Sequence, residues 1–173
     1  MEPRLCFAGI LPFSIDASGV LRVLLAKEHF GREANMWSGF AGRMERHEYD
    51  PAATAAREAH EESRGLLGTR AQLQELIESM CVRVNVSRGV HFLLPFQYIS
   101  YLPAMFAGVA AACASADRRA TVRDSVYLEK SEVRWFTFDE LADLPLRSGF
   151  QDDIEVLRHA LVAGRSNGAS GTV

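Results

Sequence analysis

Three glutamates follow an arginine in the stretch Arg57-Glu58-Ala59-His60-Glu61-Glu62. If that stretch is helical, spacings of i, i+3 and i+4 bring the carboxylates of Glu58, Glu61 and Glu62 to one side. Like charges so spaced destabilise an isolated helix by roughly 0.2–0.5 kcal/mol per pair, so a compensating cation is called for. Arg57 neutralises part of the cluster from one flank. Several convergent carboxylate oxygens also suit a hard divalent cation, and magnesium in particular binds through a few carboxylates, waters and substrate phosphates. An acidic triplet is equally an ordinary solvated helix face, and the residues in front of it sharpen the reading. Residues 39–45 (GFAGRME) contain Gly39 and Gly42 and can bring a backbone carbonyl toward the same place, and Glu48 stands just before the helix.

The helix itself is well signalled. Asp50 can accept from the first free N–H groups, Pro51 has its φ preset, and an alanine-rich run continues to Arg64, with Gly65 as a left-handed stop. At about 100° per residue, Ala52, Ala55, Ala56, Ala59, Ser63 and Leu66 gather on one face, and the three glutamates are expected on the other. Small residues let the first face lie close to a sheet. Residues 5–13 and 20–27 read as antiparallel strands around a turn at Asp16-Ala17-Ser18-Gly19. A short glycine-containing strand or loop is expected at 37–44, a helix at 71–79, and strands at 80–86 and 91–100. A helix at 103–116, a strand at 132–138, a helical turn at 139–144 and an amphipathic helix at 149–163 follow. This order predicts one α/β domain with a mixed central sheet over residues 1–163, and an unordered Gly/Ser-rich tail at 164–173.

Composition agrees with a compact soluble domain: 173 residues, 48% hydrophobic, 24% charged and 9% aromatic. A net charge of −3 provides no whole-molecule positive field, so any polyanion must be met locally. Cys6, Cys81 and Cys113 are too few and too far apart for a disulfide framework or a zinc knuckle, which points to a reducing, cytoplasmic setting. No signal peptide is expected in residues 1–12. Residues 92–116 carry no charge, but Pro95 and Pro103 interrupt them and alanine dominates the second half, so a buried strand followed by a helix is expected and not a membrane span.

Gly42, Glu48, Arg57, Glu58, Glu61, Glu62 and Gly65 together resemble the Nudix box: a glycine, five residues, a glutamate, a spacer, Arg-Glu-x-x-Glu-Glu and a closing glycine. Residues 5–12 and 23–28 look like that family's opening strands, and 132–141 (EVRWFTFDEL) resembles its late strand and following helix start. The box departs from the pattern twice. Eight residues separate Glu48 from Arg57 where seven are usual, which puts the role of Glu48 in question. Ser63-Arg64 stands where one residue normally precedes Gly65.

The resemblance implies an α/β/α sandwich and Mg2+- or Mn2+-dependent hydrolysis of a phosphoanhydride in a nucleoside diphosphate linked to another group. It makes Arg57, Glu58, Glu61 and Glu62 the catalytic set, with Glu58, Glu61, Glu62 and the Gly42 carbonyl as metal ligands. The implied partner is a nucleotide-derived small molecule, with an RNA end or a homodimer left open and no membrane. A Nudix-fold binding protein without turnover is the alternative. The general base stays open among a helix glutamate, Asp124, Glu129 and Glu132. Glu45 reads as a further metal ligand or phosphate-site neighbour, or as a strand-edge charge, and His60 as a surface residue. The remaining histidines, His29, His47, His91 and His159, show no metal spacing. Arg118 and Arg119, behind the alanine-rich helix, are candidate phosphate-binding residues, and Trp37, Phe40 and Phe92 are candidates either to stack a base or to fill the core.

Overall fold

The computed structural model describes residues 5–46, 48–116 and 126–168. The predicted hairpin is β1 (Phe7–Ile15) and β2 (Leu21–Glu28), antiparallel with Phe13 opposite Val23. Its turn is held by the Asp16 carboxylate, which accepts from the N–H groups of Ser18 and Val20, while Gly19 takes the left-handed conformation at φ 81°. The glycine-containing segment divides into β3 (Trp37–Ser38) and β4 (Phe40–Arg43), which pair with β2 and β1 respectively. Helix α1 (Pro51–Glu62) and helix α2 (Arg70–Met80) follow, the second opened by a capping box between Thr69 and Gln72.

Strands β5 (Val82–Asn85) and β6 (Gly89–Pro95) form a second hairpin, and β6 runs parallel to β1. The strand expected to reach residue 100 stops at Pro95, which has no N–H to give to a ladder. Helix α3 (Leu102–Ala116), a 3-10 turn at Val126–Leu128, β7 (Lys130–Thr137), helix α4 (Phe138–Leu141) and helix α5 (Ser148–Gly168) complete the chain. Helix α5 continues to Gly168, so the boundary expected at residue 163 falls inside a helix.

The sheet order is β3-β2-β1-β6-β5, with β4 also on β1 and β7 on β2. Alternation along the strands sends Ala8, Ile10, Leu24, Ala26 and Phe92 toward α1, α2 and α3, and Leu11, Val23, Leu25 and Leu93 toward α5. This is the α/β/α sandwich with a mixed sheet. Trp37, Phe40 and Phe92 are buried in these two cores, so all three fill the core. Ala55, Ala56 and Ala59 of α1 are at most 1% exposed. Larger side chains there would push the helix outward, at a cost of about 1–3 kcal/mol each. Among the described residues no helix is long and apolar enough to cross a membrane.

Candidate active site

Helix α1 begins as its sequence requires: the Asp50 side chain accepts from Ala52 N–H at 2.9 Å and Pro51 occupies the first turn. One turn further on, Arg57 ties four groups together. Its Nε and Nη2 donate to the two oxygens of Glu48 at 2.9 and 3.1 Å, and Nη2 also reaches the carbonyl of Arg43 at 3.2 Å. Its Nη1 donates to Glu58 at 2.7 Å and to Glu61 at 3.4 Å. The longer spacer therefore does not displace Glu48. Its carboxylate grips Arg57 in a fork, and it also accepts from the Thr54 hydroxyl at 2.8 Å and from Glu45 N–H at 3.1 Å. Glu45 is exposed and enters this network through its backbone.

These contacts set the charges. Arg57 holds the Glu48 carboxyl down to about 2, against burial, which alone would raise it. A carboxyl depressed in the fold contributes stability above its ordinary 4.5, and that contribution is lost as pH falls through about 2. Glu48→Gln is accordingly expected to destabilise the protein by about 1–3 kcal/mol at pH 7. The difference from the parent should shrink steadily on acidification toward pH 2. Melting temperatures across that range would test it, and a pH-independent difference would refute this role for Glu48. The Glu58 carboxyl is pushed up by burial, with Arg57 pulling it down.

Gly42 stands directly against Glu58. A Cβ built on it would lie 2.1 Å from the Glu58 carboxyl group, so this position on β4 accepts only glycine if Glu58 keeps its place. Glu58 and Glu61 are each about one-eighth exposed and share Nη1 of Arg57; their carboxylates thus lie side by side beside the Gly42 backbone. Two neighbouring carboxylates and a strand carbonyl are hard oxygen donors, which is the chemistry Mg2+ takes when waters and substrate phosphates complete its shell. As the side chains stand, no three acidic, thiol or imidazole groups among the described residues close on one point.

Glu62 departs from expectation. It is 4% exposed and lies with the buried residues of α1, not on an open acidic face with Glu58 and Glu61. The reason is angular: on a helix Glu62 sits only about 20° from Ala55, at the border of the small-residue face. One of its oxygens accepts from Ala41 N–H at 3.0 Å, and the other pairs with the Lys130 ammonium at 2.9 Å. Lys130 is fully buried at its side chain and also binds Glu28, with the Ser38 hydroxyl at 3.4 Å. Burial pushes the Glu62 carboxyl up to about 8, with Lys130 opposing. Burial opposes the Lys130 charge, but Glu62 and Glu28 outweigh it and raise its pKa.

Of the three base candidates outside the helix, Asp124 lies outside the described residues, and Glu132 pairs with Lys27 at an exposed edge. Glu129 feels the site. The residue is exposed, but the protein packed beside its carboxyl raises its pKa, and Glu28 and Glu61 add to the rise while Lys130 opposes it. Arg118, Arg119 and His47 lie outside the described residues. His60, expected at the surface, is half-buried, with Nδ1 2.9 Å from the Gly68 carbonyl. Sequence reasoning missed Glu28 and Lys130, which stand 102 residues apart and meet only because β2 pairs with β7. No local pattern marks such a pair.

A cavity of about 260 Å3 opens on the α5 side of the sheet, among Phe7, Arg88, His91, Arg147, Phe150 and Asp153. Ala41 and Gly42 line it too, so β4 stands between the cavity and the carboxylates.

The chain as a whole is similar to known proteins. The family model described as NUDIX domain matches residues 13–159. No curated protein matches the chain. A solved structure similar to it is a Nudix hydrolase from M. smegmatis, RenU, at 19% identity and TM-score 0.56, covering 94% of this chain and 90% of that one. The Nudix domain of Shewanella oneidensis NrtR, complexed with ADP ribose, is similar at 15% identity and TM-score 0.54, over 93% and 90% of the two chains. A bifunctional NMN adenylyltransferase/ADP ribose pyrophosphatase from Francisella tularensis, complexed with AMP and Mn ion, is similar at 14% identity and TM-score 0.51. That match covers 95% of this chain and 42% of the other.

Proposed function

The chain belongs to the Nudix family, and from that premise we propose that this pyrophosphohydrolase cleaves a phosphoanhydride in a nucleoside diphosphate linked to a second group, with Mg2+ or Mn2+. The observation that carries the reading is the Glu58–Arg57–Glu61 cluster standing against Gly42. Glu58, Glu61 and the Gly42 carbonyl would hold the metal, which when bound supplies positive charge to the phosphoanhydride and acidifies a coordinated water. Arg57 keeps the two carboxylates oriented and offsets their mutual repulsion.

Glu129 is the proposed base, since a carboxyl raised by its surroundings takes a proton more readily near neutral pH. The water oxygen bonds to phosphorus, its proton passes to Glu129, and the bridging P–O bond breaks with its electron pair leaving on the departing phosphate. The cavity behind β4 would take the organic moiety: Phe7 and Phe150 provide flat apolar faces, and Arg88 is a guanidinium suited to phosphate.

The test is incubation with ADP-ribose, dinucleoside polyphosphates, a nucleotide sugar and a capped RNA end, each with Mg2+, Mn2+ or chelator, in 18O-labelled water. Metal-dependent release of a nucleoside monophosphate carrying or lacking the label is expected from at least one compound, and identifies the phosphorus attacked. Binding of the whole panel without release would overturn the reading in favour of a nucleotide-binding protein.

A further inference from the structure

The extra residue in the Nudix box, Arg64, has a place in the fold that the pattern does not account for. Ser63 caps α1 in the right-handed region, and the chain then turns through two successive left-handed residues, Arg64 at φ 57° and Gly65 at φ 77°. Glycine takes this conformation freely; arginine does not, because its Cβ crowds the following carbonyl. The backbone here is held by Arg64 N–H donating to Glu61 and Gly65 N–H donating to His60, so the strained residue is part of the helix stop.

Its side chain reaches across to the segment before β7. Nε donates to the carbonyl of Tyr127 at 2.7 Å and Nη2 to the carbonyl of Lys130 at 2.6 Å. These two carbonyls bracket Glu129. The guanidinium lies 3.9 Å over the ring of Phe106 on α3, and Nη1 is buried with no hydrogen-bond partner among the described residues. A left-handed arginine and a buried donor with no partner among the described residues are both unfavourable, and both fall on a residue that links the end of α1 to this segment. From the other side, His29 N–H donates to the Glu129 carbonyl at 2.8 Å, and its ring Nδ1 lies 3.1 Å from the Leu128 carbonyl.

We infer that Arg64 is a positioning residue: its fork fixes the backbone on both sides of Glu129 to the end of the catalytic helix, and so sets where Glu129 and Lys130 stand relative to Glu61 and Glu62. The inference rests on the proposed hydrolase reading for its kinetic consequence, but the clamp itself does not depend on turnover. A planar fork spans two carbonyls; the point charge of a lysine cannot.

Arg64→Ala and Arg64→Lys separate the possibilities, with circular dichroism and melting used to confirm folding. Amide hydrogen exchange should quicken at residues 127–131 in both variants while residues 7–15 keep the parent's protection. Against a substrate identified in the panel above, kcat should fall about 10–100-fold with KM within about twofold, the size seen when an orienting partner is lost. Added guanidinium should restore part of kcat in Arg64→Ala and none in Arg64→Lys. Unchanged exchange at 127–131, or an increase spread evenly over the chain, would overturn the clamp whatever the turnover. Equal losses of kcat in the two variants with no guanidinium rescue, but with local exchange raised, would overturn its kinetic role. A parent enzyme inactive on the whole panel would count against the hydrolase reading and leave the exchange result to decide the clamp.

Discussion

Glu61→Gln is expected to lower kcat by about three orders of magnitude while shifting the melting temperature by no more than a few degrees. The large effect follows from chemistry. Glu61 is one of the two carboxylates that share Nη1 of Arg57 beside Gly42, and an amide of the same shape retains packing but not the charge that a divalent cation needs. Removing one preorganised electrostatic partner from an active site slows catalysis by roughly 10²–10³-fold, and loss of the metal contact proposed for Glu61 belongs at or above the upper end. The small stability effect follows from partial exposure. The ion pair with Arg70 is open to solvent on the arginine side, where such pairs contribute about 0.2–1 kcal/mol, and removing a charge also relieves repulsion from Glu58. Mn2+ titration followed by electron paramagnetic resonance, beside steady-state kinetics, checks both parts. Parent-like Mn2+ affinity in Glu61→Gln would remove it from the metal site.

Lys130→Met should show the opposite profile, a large loss of stability. It leaves the buried Glu62 carboxylate without its cation, and Glu28 with only the Arg147 cation, at 3.6 Å, among the described residues. Breaking a buried pair by removing one partner costs about 3–5 kcal/mol, which for a chain of this size corresponds to a melting temperature lower by roughly 6–20 °C. The pH dependence has a definite sign. Glu62 is already raised to about 8 in the fold, above its ordinary 4.5, and without Lys130 it is raised further. A carboxyl raised in the fold has its full stability below 4.5, where both states hold the proton, and loses it as pH climbs through the folded value. From pH 4.5 to about 8 the two proteins should therefore lose stability in step, since Glu62 holds its proton in both folds, and the deficit of Lys130→Met should widen as pH climbs above 8, where only the parent's Glu62 ionises beside a cation. Melting curves across that range decide it, and a deficit that is constant with pH would show that Glu62 does not depend on Lys130.

The two variants also separate Glu61 from Glu62, which the sequence presents as neighbours of one kind. Glu62→Gln should weaken Mn2+ binding less than Glu61→Gln does, because both Glu62 oxygens are engaged by Lys130 and by the Ala41 N–H.

Much of the architecture was legible because its causes are local. The hairpin of β1 and β2 follows from alternation around a turn rich in Asp, Ser and Gly, and α1 from Asp50-Pro51 and a run of alanines. The cluster of Arg57, Glu58 and Glu61 was legible for the same reason, since one helical turn brings these residues together wherever the helix lies. Element ends were less legible: β6 stops at Pro95, and α5 runs on to Gly168 through residues whose Gly/Ser content reads as a tail.

By itself the sequence determined the helix and the carboxylates on it, because these depend on residues within a turn or two of one another, and it spelled the family pattern from Gly42 to Gly65, whereas Gly42 meets Glu58 only because β4 packs on α1. Only the tertiary structure decided that Glu62 turns inward to Lys130, that Glu48 grips Arg57 despite the longer spacer, and that Arg64 holds the segment around Glu129. The pairings to Lys130 and to that segment join residues more than sixty positions apart, or, like the inward turn of Glu62, depend on which side of a helix the sheet covers. Both are fixed by strand order and register, which no local periodicity encodes.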